Sequence, residues 1–294
     1  MTFTIDPTEA AQSGRIRWTD SVDEAVAVLA SDNDARPVGG GVWLALRRRE
    51  GAPIGTLVPL DHLPGLTGVR EEGDELVIGA ASRLADLESD PLLRTHWPAL
   101  ADAVGAVGTA RIRRLVTIGG NLAAADETHD PPVALAAAGA VMTVRTQDGT
   151  RKVPTTNRLA PGELIIDLRL PRSRALVGSA YEKFLVRGLW EYPCVHVAAV
   201  VELDSAGDLM RVDLAVGSVR EAPYLVDLSD LTGHEPNREL IEVAAERSRQ
   251  LTPRTDAKGS ADYKQQMIAH FTRRALQSAI SRARHIPARP GGTA

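Results

Sequence analysis

Short apolar segments separated by polar turns make up the first hundred residues. The capping box Ser21-Val22-Asp23-Glu24 predicts the start of a helix, because Ser and Glu three residues apart can satisfy its first N–H groups. The apolar positions that follow have helical spacing: Val22, Ala25, Val26 and Leu29. Strands are predicted over 36–38, 56–60 and 75–80, and helices after a Ser82 cap and over 97–107.

The second half carries longer strands. An alanine-rich stretch over 132–138 begins with proline and predicts a helix. Asp148-Gly149 predicts a hairpin between strands at 141–145 and 152–153. Further strands are predicted over 164–170, 181–186, 195–203 and 209–216, and two closing helices over 238–250 and 262–282.

Helices and strands are both abundant, but they do not alternate regularly as in a doubly wound sheet. The order of elements therefore predicts an α+β protein. A break near 171–179 separates a C-terminal unit from the rest. The predicted domains are 1–60, 61–175 and 180–285, followed by a disordered tail over 286–294 that is rich in Pro and Gly.

Composition narrows the possible functions. Apolar residues make up 44% of the 294 and the net charge is −4, so no basic field favours nucleic acid. No apolar run reaches the length of about 20 residues that a membrane helix needs, and 1–18 lacks a signal-peptide core. We therefore expect a cytoplasmic protein.

The chain has few residues suited to metals. Its single cysteine, Cys194, cannot form an internal disulfide, and an iron–sulfur cluster normally needs four thiolates. The seven histidines show no zinc-type spacing, so no metal site is predicted. Redox chemistry would have to come from an organic cofactor or from another chain. Cys194 lies in an apolar strand and is expected to be buried.

Two glycine-rich segments are the candidate ligand-binding elements. The first is Gly39-Gly40-Gly41, and the second is Thr117-Ile118-Gly119-Gly120-Asn121-Leu122. Successive free N–H groups in such turns can form an anion-binding nest. Two nests far apart in sequence suit a ligand with two phosphates, so both segments are predicted to cradle a diphosphate.

The second segment and its flanks resemble the FAD-binding medium subunit of the molybdenum hydroxylases, including carbon monoxide dehydrogenase and the flavin domain of xanthine dehydrogenase. The family sequence Thr-Ile-Gly-Gly-Asn-Leu matches completely at 117–122. Arg113 stands four residues before its Thr and Asp130 thirteen after it. Lys183 and Arg187 match a later family motif, with Glu191 where Asp is usual.

The resemblance spans roughly 20–285 and implies a two-lobed FAD-binding domain of the vanillyl-alcohol-oxidase-like type, followed by a small α+β domain. It assigns no catalytic residue in this chain. The cofactor-binding residues that it implies are Val38, Gly39, Gly40, Gly41, Val42, Trp43, Leu44, Val107, Arg113, Thr117, Ile118, Gly119, Gly120, Asn121, Asp130, Ile165 and Lys183.

Some positions depart from the family pattern. The first segment has Val42 where Thr is usual and Trp43 where Asp is usual. After the second segment, Asp126 and Glu127 add two carboxylates near the expected place of an anionic cofactor. Unless these carboxylates point to solvent, like-charge repulsion would weaken FAD binding.

The resemblance implies that FAD collects electrons from iron–sulfur clusters on a small subunit, which receive them from a molybdopterin-containing large subunit. FAD would then reduce NAD, oxygen or a quinone. Two alternatives stay open. One is a stand-alone FAD-dependent oxidase or dehydrogenase, suggested by the aromatic residues Trp43, Trp190 and Tyr192. The other is a module that keeps the fold without binding FAD.

Overall fold

The structure is a computed structural model that describes residues 14–173, 176–188 and 191–285. Within these ranges it contains three sheets surrounded by helices, which is the predicted α+β class. No helix in the described ranges is long and apolar enough to cross a bilayer. The predicted tail over 286–294 lies outside the described residues.

The first sheet is small and parallel. Its strands are β1 (Arg15–Ile16), β2 (Arg36–Val38) and β3 (Thr56–Pro59), in the order β1-β3-β2. Helix α1 (Val22–Ser31) packs beside it and buries Ala25, Val26 and Leu29. The N–H of Glu24 donates to Ser21 Oγ at 3.1 Å, so the predicted cap forms.

The second sheet has five antiparallel strands in the order β4-β5-β8-β6-β7. Buried side chains of this sheet and the helices around it form the largest core. Trp97 is part of this core, and its indole N–H donates to the carbonyl of Pro171 at 2.8 Å. The strands are β4 (Val69–Glu72), β5 (Glu75–Gly79), β6 (Val141–Thr146), β7 (Gly149–Pro154) and β8 (Leu164–Pro171).

Seven further helices lie in the first two-thirds of the described chain. They are α2 (Val42–Arg49), α3 (Leu84–Glu88), α4 (Pro91–His96), α5 (Pro98–Gly105), α6 (Ala110–Arg113), α7 (Ile118–Ala123) and α8 (Asp130–Ala137).

The third sheet is antiparallel and lies between helices. Its order is β12-β11-β10-β9. Along β10, Ala198 and Val200 belong to the core shared with α8, while Val197, Ala199 and Val201 pack toward the C-terminal helices. Both faces of β10 are therefore buried, which explains its continuous apolar sequence. The elements are β9 (Val177–Phe184), β10 (Val195–Leu203), β11 (Leu209–Gly217), β12 (Tyr224–Val226), α9 (Arg238–Arg249) and α10 (Ala261–His285).

Several local predictions need correction. Ser82 does not cap a helix: Arg83 is the N-cap of α3, and Ser82 Oγ accepts from the N–H of Gly68 at 2.9 Å. Helix α8 begins at Asp130, two residues before the predicted start. The second glycine segment is the first turn of α7 rather than a loop.

The predicted division into domains stays a prediction. The strands of the first sheet fall within 15–59, those of the second within 69–171 and those of the third within 177–226. The first two sheets lie inside one predicted domain each, while the third begins at Val177, three residues before the predicted start of the last domain.

Candidate functional site

A cavity of about 750 Å³ lies where the two glycine segments meet, which is within the usual range for small-molecule sites. Residues of the third sheet and of the loop after β9 also contribute to its lining. The structure therefore brings together most of the residues predicted from the sequence. Those that line the cavity are Val38, Gly39, Gly40, Gly41, Val42, Trp43, Leu44, Val107, Thr117, Gly119, Gly120, Asn121, Asp130, Ile165 and Lys183.

The first glycine segment forms one wall and leads directly into α2. Gly41 is the N-cap of this helix and has a left-handed backbone with φ of 69°, which glycine adopts without strain. Within the described part of the chain, none of the N–H groups of 39–44 donates to a protein acceptor. Such a row of unpaired donors at a helix start attracts an anion.

The second glycine segment forms the facing wall, but its N–H groups are already used. Thr117 caps α7 and accepts from the N–H of Gly120 at 3.2 Å, while its carbonyl accepts from Asn121 at 2.9 Å. The N–H groups of Ile118 and Gly119 donate to the carbonyls of Ser82 and Ala80, at 3.0 and 2.8 Å. The predicted free nest is therefore found in the first segment and not in the second.

The glycines allow the two walls to pack against each other. A Cβ on Gly39 would lie 2.3 Å from Thr117 Oγ1, and one on Gly40 would lie 1.5 Å from the carbonyl oxygen of Leu115. These contacts leave no room for side chains. Gly120 differs, because it is exposed on the cavity and a Cβ there would meet only Thr117 Oγ1.

Asn121 carries a buried oxygen without a partner. It lines the cavity and is only 5% exposed, yet its Oδ1 accepts no hydrogen bond from the described protein. Leaving a buried polar atom unpaired costs about 1–3 kcal/mol, so a donor on a bound ligand would relieve this cost. The backbone carbonyl of Asn121 contacts His129 Nδ1 at 2.9 Å, and the His129 ring packs edge-on against Trp43.

Asp130 and Lys183 form a buried ion pair at the edge of the cavity. Lys183 Nζ donates to Asp130 Oδ2 and to the carbonyl of Ala106, both at 3.0 Å. Tyr181 Oη donates to Asp130 Oδ1 at 2.5 Å. Burial raises the pKa of Asp130, while Lys183 and Tyr181 act in the opposite direction. The ammonium group has three hydrogens, so one remains for a ligand.

Arg113 and Ile118 do not line the cavity, which corrects the direct contact expected for them. Arg113 makes a two-pronged pair with Glu88, at 2.7 and 3.1 Å, and donates to the carbonyls of Val107 and Gly108. Arg113 therefore holds the backbone of the turn at Val107 and Gly108, and Val107 lines the cavity. Ile118 belongs to the second glycine segment, and its side chain points away from the cavity into the core, where it is fully buried.

The extra carboxylates after the second glycine segment do not line the cavity. Asp126 accepts from the N–H and hydroxyl of Thr128, at 2.9 and 2.5 Å. The backbone carbonyl of Glu127 accepts from Ser218. Neither carboxylate is thus placed on the surface that a ligand would contact. Glu191 lines the cavity beside Tyr192, and its carboxylate accepts from the N–H of Arg187 at 2.9 Å.

Sequence reasoning missed Tyr181 and considered His196 only as a residue that could line a substrate pocket or have an ordinary structural role. Tyr181 contacts Asp130, and the His196 ring is fully buried behind it. The available signal was the spacing of Tyr181 and Lys183, which places both on one face of a strand. Cys194 is buried as predicted, and burial raises the pKa of its thiol.

A large cavity walled by two glycine segments, with a row of unpaired N–H donors, defines an α+β protein built to hold a phosphate-containing cofactor. The family is shown by sequence. Residues 12–173 match the FAD binding domain in molybdopterin dehydrogenase, and residues 179–279 match the CO dehydrogenase flavoprotein C-terminal domain. The chain belongs to this family of FAD-binding dehydrogenase subunits.

Characterised relatives match over most of their length. The chain is 33% identical to the 6-hydroxypseudooxynicotine dehydrogenase complex subunit alpha of Paenarthrobacter nicotinovorans, covering 90% of this chain and 94% of that one. It is 30% identical to the carbon monoxide dehydrogenase medium chain of Hydrogenophaga pseudoflava, covering 89% and 95%.

Solved structures share the fold. Carbon monoxide dehydrogenase from Hydrogenophaga pseudoflava superposes with a TM-score of 0.86 at 30% identity, covering 91% of this chain and 97% of that one. Quinoline 2-oxidoreductase from Pseudomonas putida 86 gives 0.83 at 26% identity, covering 92% and 98%. The predicted α+β fold and the FAD cofactor of the family are confirmed.

Proposed function

We propose that this chain is the FAD-carrying electron-transfer subunit of a molybdenum hydroxylase complex. In this role it passes electrons from iron–sulfur clusters on a partner subunit to an external acceptor. Two relatives carry names that describe a subunit of a dehydrogenase complex and a medium chain of carbon monoxide dehydrogenase. An iron–sulfur cluster normally takes four thiolates and this chain has one cysteine, so a cluster that supplies electrons to its FAD would belong to another polypeptide.

The row of unpaired N–H groups over 39–44 is the observation that carries the proposal. The pyrophosphate of FAD is an anion with many acceptor oxygens, and these donors fit it. The unpaired Oδ1 of Asn121 fits a hydroxyl or amine donor of the same cofactor. Gly120 also lines the cavity and presents no side chain to it.

The chain contributes binding and orientation, while FAD supplies the redox chemistry when it is bound. Ile165 offers an apolar surface in the cavity. Lys183 offers one N–H, held by Asp130 and by the carbonyl of Ala106. Trp43 and His129 cover the side of the cavity next to the first glycine segment.

The proposed partners are a small iron–sulfur subunit and a large molybdopterin subunit. We would purify the tagged chain from cells that express it naturally and record its visible spectrum, its metal content and the chains that accompany it. The proposal expects a flavin spectrum, two additional chains, iron and molybdenum. It also expects the flavin to be reduced by an organic substrate only when those chains are present.

Other outcomes of the same purification would support the alternatives. A yellow chain that purifies alone and oxidises an organic substrate would identify a stand-alone flavoenzyme. A colourless chain whose melting temperature does not change on FAD titration would identify a module without the cofactor. Either result would overturn the proposed function.

A further inference from the structure

Behind the cavity, four titratable side chains form a continuous buried chain: His196, Tyr181, Asp130 and Lys183. The joining distances are 3.1 Å from His196 Nδ1 to Tyr181 Oη, 2.5 Å from Tyr181 Oη to Asp130 Oδ1, and 3.0 Å from Asp130 Oδ2 to Lys183 Nζ. The last two residues line the cavity and the first two do not.

We propose that Tyr181 and His196 are positioning residues that fix the Asp130–Lys183 pair and thereby set the affinity for FAD. This inference rests on the proposed function. Nothing in the binding role of Lys183 alone requires a partly buried tyrosine and a fully buried histidine behind it. Their arrangement shows a second layer that supports the residues at the cavity.

The strand register brings the chain together. His196 on β10 lies directly opposite Lys183 on β9, so their side chains share one face of the sheet. Tyr181 is two residues before Lys183 and shares that face as well. Helix α8 packs against β10 and presents Asp130, its first residue, to these side chains.

Counting hydrogens indicates a direction for these hydrogen bonds. Tyr181 has one hydroxyl hydrogen, which it donates to Asp130, so its oxygen can only accept from His196. A neutral imidazole has one N–H, and the closer of its two contacts, from Nδ1 to Tyr181 Oη at 3.1 Å against Nε2 to the carbonyl of Glu127 at 3.4 Å, favours the hydrogen on Nδ1. Burial keeps this ring neutral, because it lowers the pKa of His196 to about 3.

The fold leaves a fitted space for the imidazole. Gly217 on β11 lies opposite His196, and a Cβ on Gly217 would lie 2.0 Å from His196 Nε2. Any other residue at 217 would push the ring toward Tyr181 or out of the sheet. Glycine at this position therefore matches the presence of a large buried ring at 196.

Tyr181 determines how Asp130 uses its oxygens. With the hydroxyl present, Oδ1 is satisfied by Tyr181 and Oδ2 is free to hold Lys183. Without the hydroxyl, a buried carboxylate oxygen loses its donor, and Lys183 is left as the side chain that donates to this carboxylate. We expect the ammonium group then to turn from the cavity toward Asp130.

The first test is Tyr181→Phe, with the dissociation constant of FAD measured by titrating the flavin-free chain. A lost hydrogen bond to a charged group predicts FAD binding weaker by about tenfold or more. Tyr224→Phe is the matched control, because Tyr224 lies on β12 and packs under Arg220, away from the hydrogen bonds of Tyr181. The Tyr224→Phe variant should bind FAD with an affinity within about twofold of wild type.

A double-mutant cycle separates positioning from a general structural role. In a Lys183→Met background, Tyr181→Phe should change the FAD dissociation constant by less than about twofold, because the residue through which it acts is gone. Full additivity of the two effects would overturn the inference.

Substitutions of His196 give an independent test should Tyr181→Phe fail to fold. Asn places its amide donor near the position of Nδ1, whereas Gln places its donor near Nε2. His196→Asn should keep FAD affinity within about threefold of wild type, and His196→Gln should weaken it by about tenfold. Equal affinities for the two variants would contradict the inference while wild type still binds FAD. A wild-type chain that binds no FAD would instead overturn the proposed function.

Discussion

Gly40 lies directly against the backbone carbonyl of Leu115, so close that a Cβ on Gly40 would sit 1.5 Å from that oxygen. The first glycine segment is therefore packed against the backbone that leads into the second one, and Gly39 packs against the side chain of Thr117. In the sequence the two segments appear as two similar loops for one ligand. In the structure, the second segment supports the first, and the first presents its N–H groups to the cavity.

This contact makes Gly40→Ala a folding variant. The obstacle is backbone, which cannot turn aside as a flexible side chain would, so the segments must separate. We expect a loss of about 3 kcal/mol in the free energy of unfolding, at the upper end of overpacking costs. Urea unfolding of the flavin-free chain measures it, and a change below about 1 kcal/mol would show that the segments are not in contact.

Gly120→Val is expected to separate binding from folding. Gly120 faces the cavity, and valine there would occupy space between the first glycine segment and Asn121. The free energy of unfolding should fall by about 1–2 kcal/mol at most, because the added Cβ lies 2.8 Å from the capping hydroxyl of Thr117, while the better helix propensity of valine offsets part of that cost.

The same variant should bind no measurable FAD in a fluorescence titration. Flavin retained by Gly120→Val at wild-type affinity would mean that the cofactor does not pass over this wall.

Arg113 should respond as a structural residue. Lysine cannot reproduce its two-pronged pair with Glu88 together with the bonds to Val107 and Gly108. Arg113→Lys should therefore lower the free energy of unfolding by about 1–2 kcal/mol. The exposed neighbour Arg114 provides a matched control, since Arg114→Lys should change stability by less than about 0.5 kcal/mol. Equal effects of both substitutions would place Arg113 on the surface.

His196 gives the protein a pH dependence of known sign. Its pKa is lowered to about 3 in the folded state, against 6.5 for an ordinary histidine. Between these values the unfolded chain binds a proton that the folded chain does not, so stability falls as the pH drops from 6.5 toward 3.

From pH 8 to pH 5 this amounts to about 2 kcal/mol, most of it lost below pH 6.5 at up to 1.36 kcal/mol per pH unit. His196→Asn removes this group and should lose that much less stability than wild type over the same interval. Urea unfolding at pH 5 and pH 8 makes the comparison. Parallel losses in both proteins would show that His196 titrates normally.

The sequence predicted most of the longer elements, because these have clear periodicity or caps, but not the short elements β1, β4, β12, α4 and α6. Helix α2 is not indicated by the sequence, since its five apolar residues are consecutive rather than helically spaced and three arginines end it. The glycines of the second segment have low helix propensity, so the sequence indicates a loop there. The Thr117 cap nevertheless starts a helix at Ile118.

The site could be predicted only in part, for a physical reason. Spacing from a family motif identifies Asp130 and Lys183, but it does not say which of their donors and acceptors are already used. Whether the N–H of Gly119 is free depends on Ala80, a residue far away in the sequence. The roles of Tyr181 and His196 likewise depend on strand register, which the sequence alone does not specify.

The cavity takes its lining from both family domains, with Gly40 and Ile165 in the segment 12–173 and Lys183 in the segment 179–279. A ligand bound in the cavity would contact residues of both domains and would therefore stabilise their association. By mass action, loading the cofactor stabilises the joined state, by about 2.7 kcal/mol at a hundred times its dissociation constant. The amount of FAD available in the cell would then set how long this polypeptide survives proteolysis.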